Sequence, residues 1–369
     1  LTSKRNWTEL ELQGGVGPSA EQWASLPNLT SLELSVRRLP LRAFASLSKL
    51  ETLRLELDGG DYPLELPASL RNLELRVAGE LPDIDWASLT ELSVLKLRLE
   101  KPVTALSLPP QLRRLSLKVP RLPKLAPGKQ LEDAMFIVDG FTAGDLPALD
   151  TLKRLELRVG RNCAQPFPAL SGLDKLATLV LSTPYETSFP TDLLRSLPAL
   201  RELDAATDYL LGPEHLSGVR LERIKRLRMP LAQLEASELR EAHLTLPTKL
   251  EELTSFLSRA PKLVRLKLEC LFSGPIDGTL SEVQAARWRE LIVALEATNL
   301  EQVTLDLYRS SLDLQRTKDG TLSRLTLHNA SALHCDDLVV TSLTRLSSLQ
   351  GDGLTDRTRE RLLKLRKAY

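Results

Sequence analysis

The chain repeats one short pattern of apolar and polar positions along nearly its whole length. The pattern is Leu-x-x-Leu-x-Leu with a further apolar residue two positions on, as at Leu29, Leu32, Leu34 and Val36. This alternation predicts a β-strand with one buried face. Strong copies begin at Leu29, Leu50, Leu70, Leu92, Leu112, Leu152, Leu176, Leu200, Leu263, Leu300 and Leu322, and weaker copies begin at Trp7, Leu131, Ile224, Leu239 and Leu346.

The copies follow each other closely, so each unit has room for one strand and a short return path. The starts at Leu29, Leu50, Leu70 and Leu92 are 21, 20 and 22 residues apart. Segments that contain proline, such as 25–27 and 107–110, predict turns or 3-10 segments in the return paths. The step from Leu263 to Leu300 is 37 residues. It predicts one enlarged unit near 263–299, with a helix over 281–297.

This periodicity resembles that of the leucine-rich-repeat family over nearly the whole chain. The resemblance implies an α/β solenoid, namely a leucine-rich-repeat horseshoe with a parallel β-sheet on its concave face. Its return paths would mix loops, 3-10 turns and helices. We expect about sixteen units in residues 1–354. A polar helix over residues 355–369 is predicted to cap the last unit.

One feature of that family is missing from the turns. The position after the strand, where Asn or Cys is usual in the family, holds Arg37, Asp58, Ala78, Glu100, Pro120, Asp139 and Gly160. Buried backbone groups need hydrogen-bond partners, so these turns must find them without a ladder of Asn side chains. The apolar alternation instead runs one step further, through residues such as Leu57, Val77 and Leu99. This predicts a longer strand in each unit.

The residue types that carry catalysis or bind metals do not cluster in the sequence. The four histidines have no metal-binding spacing, and no phosphate-loop or dinucleotide motif occurs. We therefore expect no enzyme activity, no cofactor and no metal. Only His334, Cys335, Asp336 and Asp337 resemble the nucleophile motif of bacterial ubiquitin ligases that carry leucine-rich repeats. That resemblance implies an alternative, in which the chain is the substrate-recognition part of such an enzyme. The flanking acids oppose a reactive thiolate.

Charge is balanced over the whole chain and unbalanced in one stretch. The sequence has 49 Lys and Arg against 48 Asp and Glu, a formal net charge of +1. Residues 93–130, by contrast, hold nine Lys or Arg and one acid, Glu100. Strand alternation places Arg76, Arg98 and Lys118 as stacked neighbours on the concave face, about 5 Å apart. The candidate partner-binding residues are Arg54, Arg76, Lys96, Arg98, Arg114, Lys118, Arg154 and Arg158.

These observations favour a non-catalytic interaction or recognition module whose concave face binds another protein with an acidic or phosphorylated surface. The chain would be part of a longer multidomain protein or an effector. Two alternatives stay open: the basic residues form a solvated face, or the solenoid is a structural spacer. Nucleic acid is disfavoured as a partner, because no aromatic residues interleave the basic stretch. The sequence leaves the oligomeric state open.

The cysteines give an indication of the cellular compartment. Cys163, Cys270 and Cys335 are odd in number and widely spaced, and the chain begins with no signal-peptide pattern. Paired cysteines are typical of secreted proteins, so a reducing, cytoplasmic location is expected. The apolar runs are too short to span a membrane. Secretion as an effector stays open.

Overall fold

The structure is a computed structural model. It describes residues 8–351 apart from 41, 61, 127–129, 141–148, 161–169, 171, 184–191, 208–212, 217, 228–230, 232–233, 248, 271–289, 292–293, 296–297, 308–309, 317–321 and 329–347. The chain divides into two compact units, Leu1–Leu200 and Arg201–Tyr369. These are called the N-terminal unit and the C-terminal unit.

A parallel β-sheet runs through the N-terminal unit, with each strand hydrogen-bonded to the strand of the next repeat. Its strands are β1 Glu9–Val16, β2 Ser31–Arg38, β3 Thr52–Leu57, β4 Asn72–Val77, β5 Val94–Leu99, β7 Arg114–Arg121, β9 Asp133–Gly140, β10 Arg154–Val159 and β11 Thr178–Thr183. Two short strands, β6 Ala105–Leu106 and β8 Lys124–Leu125, pair with each other in a separate sheet. The predicted parallel solenoid is confirmed.

Leucines of successive repeats lie side by side and form the core. Leu53, Leu73, Leu95 and Leu115 are neighbours in register from β3 to β7, and all are buried. Each such side chain contributes about 1.5–3 kcal/mol by leaving water. The predicted longer strands are also confirmed, because the apolar residue at the end of each strand is buried. These residues are Leu57, Val77, Leu99, Val119, Val138 and Val159.

Backbone hydrogen bonds between repeats replace the missing Asn ladder at the turns. After β4, the N–H of Ala78 donates to the carbonyl of Leu57 at 3.1 Å, and the N–H of Gly160 donates to Val138 at 2.7 Å. The turns are also packed closely. Gly59 has a φ of 95°, and a Cβ there would lie 2.7 Å from the Cα of Gly79. Glycine is therefore required where these two turns meet.

The return paths of the N-terminal unit consist mainly of turns. They include a one-turn helix, α1 Ala20–Trp23, and a 3-10 helix over Trp86–Ser88. The side chain of Asp85 caps the 3-10 helix by accepting a hydrogen bond from the N–H of Ala87 at 3.1 Å. Trp23 and Trp86 are both buried in these segments. Large side chains thus fill the wide places on the return side of the sheet.

Most strands of the C-terminal unit also follow the parallel pattern. In chain order the elements are β12 Glu202–Thr207, α2 Pro213–Leu216, β13 Arg223–Leu227, β14 Glu241–Thr245, α3 Leu250–Ser258, β15 Arg265–Cys270, β16 Gln302–Leu307, β17 Ser310–Arg316, β18 Leu322–His328 and β19 Ser348–Gly351. Strands β12 to β16 are parallel. The 37-residue step is seen here too, because Arg265 of β15 pairs with Gln302 of β16.

Two details of this unit differ from the sequence prediction. Strand β17 is antiparallel to both β16 and β18. Only residues 308 and 309 separate β16 from β17, and so short a connection permits a hairpin, whereas a parallel crossover needs a dozen or more residues. The predicted start at Ile224 is also wrong. Ile224 pairs with Leu203 and so takes the second leucine position, while buried Leu221 takes the first.

Helix α3 was not predicted from the leucine pattern. It places Glu251 and Glu252 in its first turn, where carboxylates favour the helix dipole. Leu253 and Phe256 form its buried face. Past its end, Arg259 donates hydrogen bonds from Nη1 and Nη2 to backbone carbonyls of the preceding return path, at 2.8 and 2.6 Å. An arginine therefore joins two neighbouring return paths.

Several predicted features fall where little or nothing is described. Of the predicted helix over 281–297, residues 290–291 and 294–295 are helical, and the rest lie outside the described residues. The predicted capping helix over 355–369 and the motif at 334–337 also lie outside them. The single solenoid over 1–354 stays a prediction.

Candidate partner-binding surface

The side chains between the buried leucines form three rows across the N-terminal sheet. We call this side of the sheet the open face; it is the predicted concave face. Strand pairing fixes the membership of each row. The first row is Ser31, Thr52, Asn72, Val94, Arg114, Asp133, Arg154 and Thr178. The second is Glu33, Arg54, Glu74, Lys96, Ser116, Met135, Glu156 and Val180. The third is Ser35, Glu56, Arg76, Arg98, Lys118, Ile137, Arg158 and Ser182.

The register confirms the predicted stacking of three basic residues. Arg76 of β4 pairs with Arg98 of β5, and Arg98 pairs with Lys118 of β7. Adjacent strands lie about 4.8 Å apart, so these three positions are direct neighbours. The eight candidate residues all lie in the three rows, but their surroundings divide them into two groups of four.

The first group contains arginines that carboxylates already hold. Arg54 approaches Glu33 at 3.3 Å and Glu74 at 3.5 Å. Arg76 donates two hydrogen bonds to Glu74 Oε1, at 3.2 Å from Nε and 3.0 Å from Nη2. These ion pairs hold both guanidinium groups against carboxylates of the same sheet. Strands β3 and β4 therefore have little net charge on the open face.

Arg154 and Arg158 of β10 share the carboxylate of Glu156 between them. Arg158 Nε donates to Glu156 Oε1 at 2.6 Å, and Arg154 Nη2 lies 3.4 Å from Oε2. Glu156 is only 5% exposed. A buried carboxylate is tolerated when charged donors satisfy it, as they do here. Arg154 also lies 3.8 Å from Asp133 of β9.

The second group is the basic patch: Lys96 and Arg98 of β5 with Arg114 and Lys118 of β7. All four side chains are exposed. Among the described residues, no carboxylate lies within 4.0 Å of any of them. Neither strand carries an acidic residue in the three rows. The acids beside them in register, Glu74 next to Lys96 and Asp133 next to Arg114, contact arginines of β3, β4 and β10 instead. Four like charges on neighbouring strands repel each other and create a positive potential above the sheet.

The C-terminal unit provides an internal comparison, because its charges alternate. Glu202, Arg223, Glu241 and Arg265 follow one another across β12 to β15. Arg223 lies 3.6 Å from Glu202 and 3.8 Å from Glu241, and Arg265 forms a further ion pair with Glu241. Charges of opposite sign on adjacent strands neutralise each other. A basic surface is thus not a general property of this repeat.

A shallow depression of about 230 Å³ lies on the same side of the C-terminal unit. Lys225, His243, Arg265 and Lys267 are among its lining residues, together with Glu241. Lys225 is held by Glu202 at 2.8 Å, and His243 Nε2 lies 3.0 Å from Glu269. Lys225, His243 and Arg265 therefore each lie within 4.0 Å of a carboxylate, whereas no described carboxylate lies that close to a cation of the basic patch.

Two of the solved structures that are similar to the chain illustrate the likeness. The crystal structure of a TLR13–ssRNA13 complex matches with a TM-score of 0.47 and 14% identity, over 72% of this chain and 48% of that one. The chain thus spans about half the length of that protein. An internalin, InlF from Listeria monocytogenes str. 4b F2365, matches with a TM-score of 0.40 and 16% identity, over 71% of this chain and 80% of that one.

At these identities the likeness concerns the fold alone. No protein-family model matches the chain, and the comparison with curated proteins gave no match.

Within the described part of the chain, no three His, Cys, Asp or Glu side chains come close enough to hold a metal ion. Acidic residues such as Glu74 and Glu156 instead form ion pairs with arginines. No helix in the described ranges is both long and apolar enough to cross a membrane.

Sequence reasoning identified the cations but missed what surrounds them. It grouped Arg54 and Arg76 with Lys96 and Arg98, although the first two form ion pairs with Glu74. A signal was present: Glu74 precedes Arg76 by two residues, and such residues share a face of a strand. It did not name Ser116, Met135 and Ile137 as candidate binding residues, although they lie beside the basic patch in the second and third rows.

Proposed function

We propose that this protein is a non-catalytic recognition module that binds an acidic segment of a partner protein through the basic patch on its N-terminal open face. One observation carries the proposal. Lys96, Arg98, Arg114 and Lys118 are exposed on adjacent strands and have no described carboxylate within ion-pair distance, whereas the other candidate arginines are already paired.

An acidic partner removes a repulsion among the four cations of the free protein. Unpaired surface cations steer an acidic partner and speed its encounter, and they favour it over basic competitors. Because the four side chains are exposed, salt screens their field over about 10 Å at 0.1 M ionic strength. Binding should therefore weaken as salt rises.

The test compares two double variants of the full chain. Lys96→Glu with Lys118→Glu reverses two charges of the basic patch. The control, Arg71→Glu with Lys175→Glu, makes the same charge change at exposed residues outside the three rows. Partners are captured from native lysate at low and moderate salt, identified by mass spectrometry, purified, and titrated against all three proteins.

The proposal expects a partner whose affinity falls at least about tenfold in the basic-patch variant and changes less than about twofold in the control. The affinity of the unaltered protein should also fall with salt. If both variants bind every captured partner as the unaltered protein does, the basic patch is a solvated face and the proposal is wrong.

A further inference from the structure

The four cations of the basic patch surround one small polar side chain. Ser116 lies in the second row, between Lys96 of β5 and Met135 of β9. Arg114 and Lys118 are two residues before and after it on β7, and Arg98 lies diagonally across from it. The four cations thus border Ser116 on β5 and on its own strand. On the β9 side one diagonal neighbour is Asp133, which contacts Arg154. The short side chain of Ser116 leaves space above the sheet.

The spacing suits one tetrahedral anion above Ser116. Neighbouring strands are about 4.8 Å apart, and residues two apart along a strand are about 6.6 Å apart. Lys and Arg side chains are long enough to bend toward a common point across such distances. Arg76 of β4 and Arg158 of β10 do not reach the same anion, because Glu74 holds the first and Glu156 holds the second.

The hydroxyl of Ser116 donates its hydrogen bond to a weak acceptor. It lies 3.7 Å from the sulfur of Met135, and a thioether accepts hydrogen bonds poorly. An anionic oxygen above the sheet is a much stronger acceptor. Exchanging the sulfur for such an oxygen therefore favours binding of the anion.

The number of donors fits a phosphoryl group better than a carboxylate. A phosphorylated side chain carries about −1.5 to −2 charges and three acceptor oxygens. A carboxylate carries one charge and two oxygens, which leaves more of the four cations unneutralised. Two of those cations are arginines, whose planar forks match phosphate oxygens well.

Two apolar side chains of β9 lie beside the basic patch. Met135 follows Ser116 in the second row, and Ile137 follows Lys118 in the third. Both side chains are half-buried and so still present apolar surface. A peptide that crosses from β7 to β9 would place its next side chain there.

We infer that the basic patch binds a phosphorylated segment of a partner protein, with the phosphoryl group above Ser116 and a neighbouring apolar side chain against Met135 and Ile137. This inference rests on the proposed function and names its ligand. Single-stranded RNA fits less well, because no aromatic side chain lies in the three rows of the described N-terminal unit to stack bases.

The test uses three pools of fluorescent nonapeptides with a fixed central residue: phosphoserine, glutamate or serine. The other positions are degenerate, and binding to the full chain is measured by anisotropy. We expect the phosphoserine pool to bind at least about tenfold more tightly than the glutamate pool. Sequencing of bound peptides should show enrichment of apolar residues beside the phosphoserine.

Three variants locate the bound group. Lys96→Ala with Lys118→Ala should reduce the affinity for the phosphoserine pool to that for the serine pool. Ser116→Ala removes one hydroxyl and should weaken phosphoserine binding about threefold to tenfold. Ile137→Ser should remove the preference for an apolar neighbour. Arg71→Ala with Lys175→Ala is the matched control, and thermal unfolding checks that each variant is folded.

Several results would overturn the inference. Equal affinity for the phosphoserine and glutamate pools, both lost in the basic-patch variant, would refute the phosphoryl group and leave the proposed function standing. Phosphoserine binding that the basic-patch variant retains would place the anion elsewhere. A poly(U) dodecamer that binds more tightly than the phosphoserine pool, and is lost in that variant, would make RNA the ligand. The partner titrations described above test the proposed function separately.

Discussion

At the level of single residues, the fold depends on leucines that neighbouring repeats bury completely. Leu55, Leu75 and Leu97 lie in register on β3, β4 and β5, and Leu75 has 0% of its surface exposed. Each is covered by the equivalent leucine on either side. The loss of one side chain therefore leaves a space that the regular neighbours cannot easily fill.

Leu75→Ala tests this packing. We expect the free energy of unfolding to fall by about 2–5 kcal/mol, through lost burial and a residual cavity. Arg71→Ala, at the exposed position immediately before β4, should change the free energy of unfolding by no more than about 0.5 kcal/mol. Urea denaturation followed by circular dichroism measures both. A change in Leu75→Ala as small as that in the control would contradict the packing described for β4.

Tyr62 gives a prediction about pH. Burial raises the pKa of its phenol above the usual 10.0, with nearby Arg38 opposing the shift and Asp58 adding to it. Within the described residues its hydroxyl has no hydrogen-bond partner. Above pH 10 the unfolded phenol ionises while the folded one stays protonated, so the unfolded state binds fewer protons and stability falls.

Tyr62→Phe should remove that part of the fall. Unfolding by urea at intervals from pH 9 to pH 11 would show a smaller loss of stability in the variant than in the unaltered protein. At pH 7 the variant should be about as stable, because no described hydrogen bond is lost. Parallel pH profiles of the two proteins would mean that the phenol ionises equally in both states.

At the level of elements, the distribution of carboxylates decides which strands are available to a partner. Strands β5 and β7 have none in the three rows, whereas β4 has Glu74 and β10 has Glu156. Each of these carboxylates holds two arginines. The basic patch is therefore bounded on one side by β4, whose arginine is occupied, and on the other by β9, which has no cation in the three rows.

Glu74→Gln should extend the basic patch by one strand. Glu74 pairs in register with Lys96, and its loss would release Arg76 beside Arg98. We expect partner affinity to rise about threefold to tenfold. Glu202→Gln is the matched control, since Glu202 also contacts two cations, Lys225 at 2.8 Å and Arg223 at 3.6 Å, but in the other unit. Equal affinities for the two variants would contradict the confinement of the patch by Glu74.

The strands could be predicted because each leucine motif carries its own alternation. Departures from the motif were predicted less well. The motif at Ile224 was placed three residues late because β13 contains a bulge, with Arg226 at a φ of 54°. Arg226 there forms hydrogen bonds with Asp204 at 2.8 and 2.7 Å. Helix α3 and the reversed strand β17 depend on connection lengths and packing that the leucine period does not encode.

At the scale of the whole molecule, a net charge of +1 conceals different local arrangements. In the C-terminal unit, cations and carboxylates alternate across the strands. In the N-terminal unit, four cations have no described carboxylate partner. The sequence identified these cations, because alternation fixes which residues face outward. It did not separate them from their paired neighbours, because side-chain rotamers decide which carboxylate each arginine contacts and because the acids beside Arg54 lie on adjacent strands.

The most direct test of the account is lysine footprinting of the captured complex. The full chain, free and bound to its partner, is briefly treated with acetic anhydride, and the acetylation of each lysine is quantified by mass spectrometry. Lys96 and Lys118 lie in the basic patch, while Lys175 is exposed outside the three rows and Lys225 lies in the C-terminal unit. The account predicts that the partner slows acetylation of Lys96 and Lys118 at least about fivefold and leaves Lys175 and Lys225 unchanged. If Lys225 were protected while Lys96 and Lys118 stayed reactive, the partner would bind elsewhere. That result would contradict binding at the basic patch.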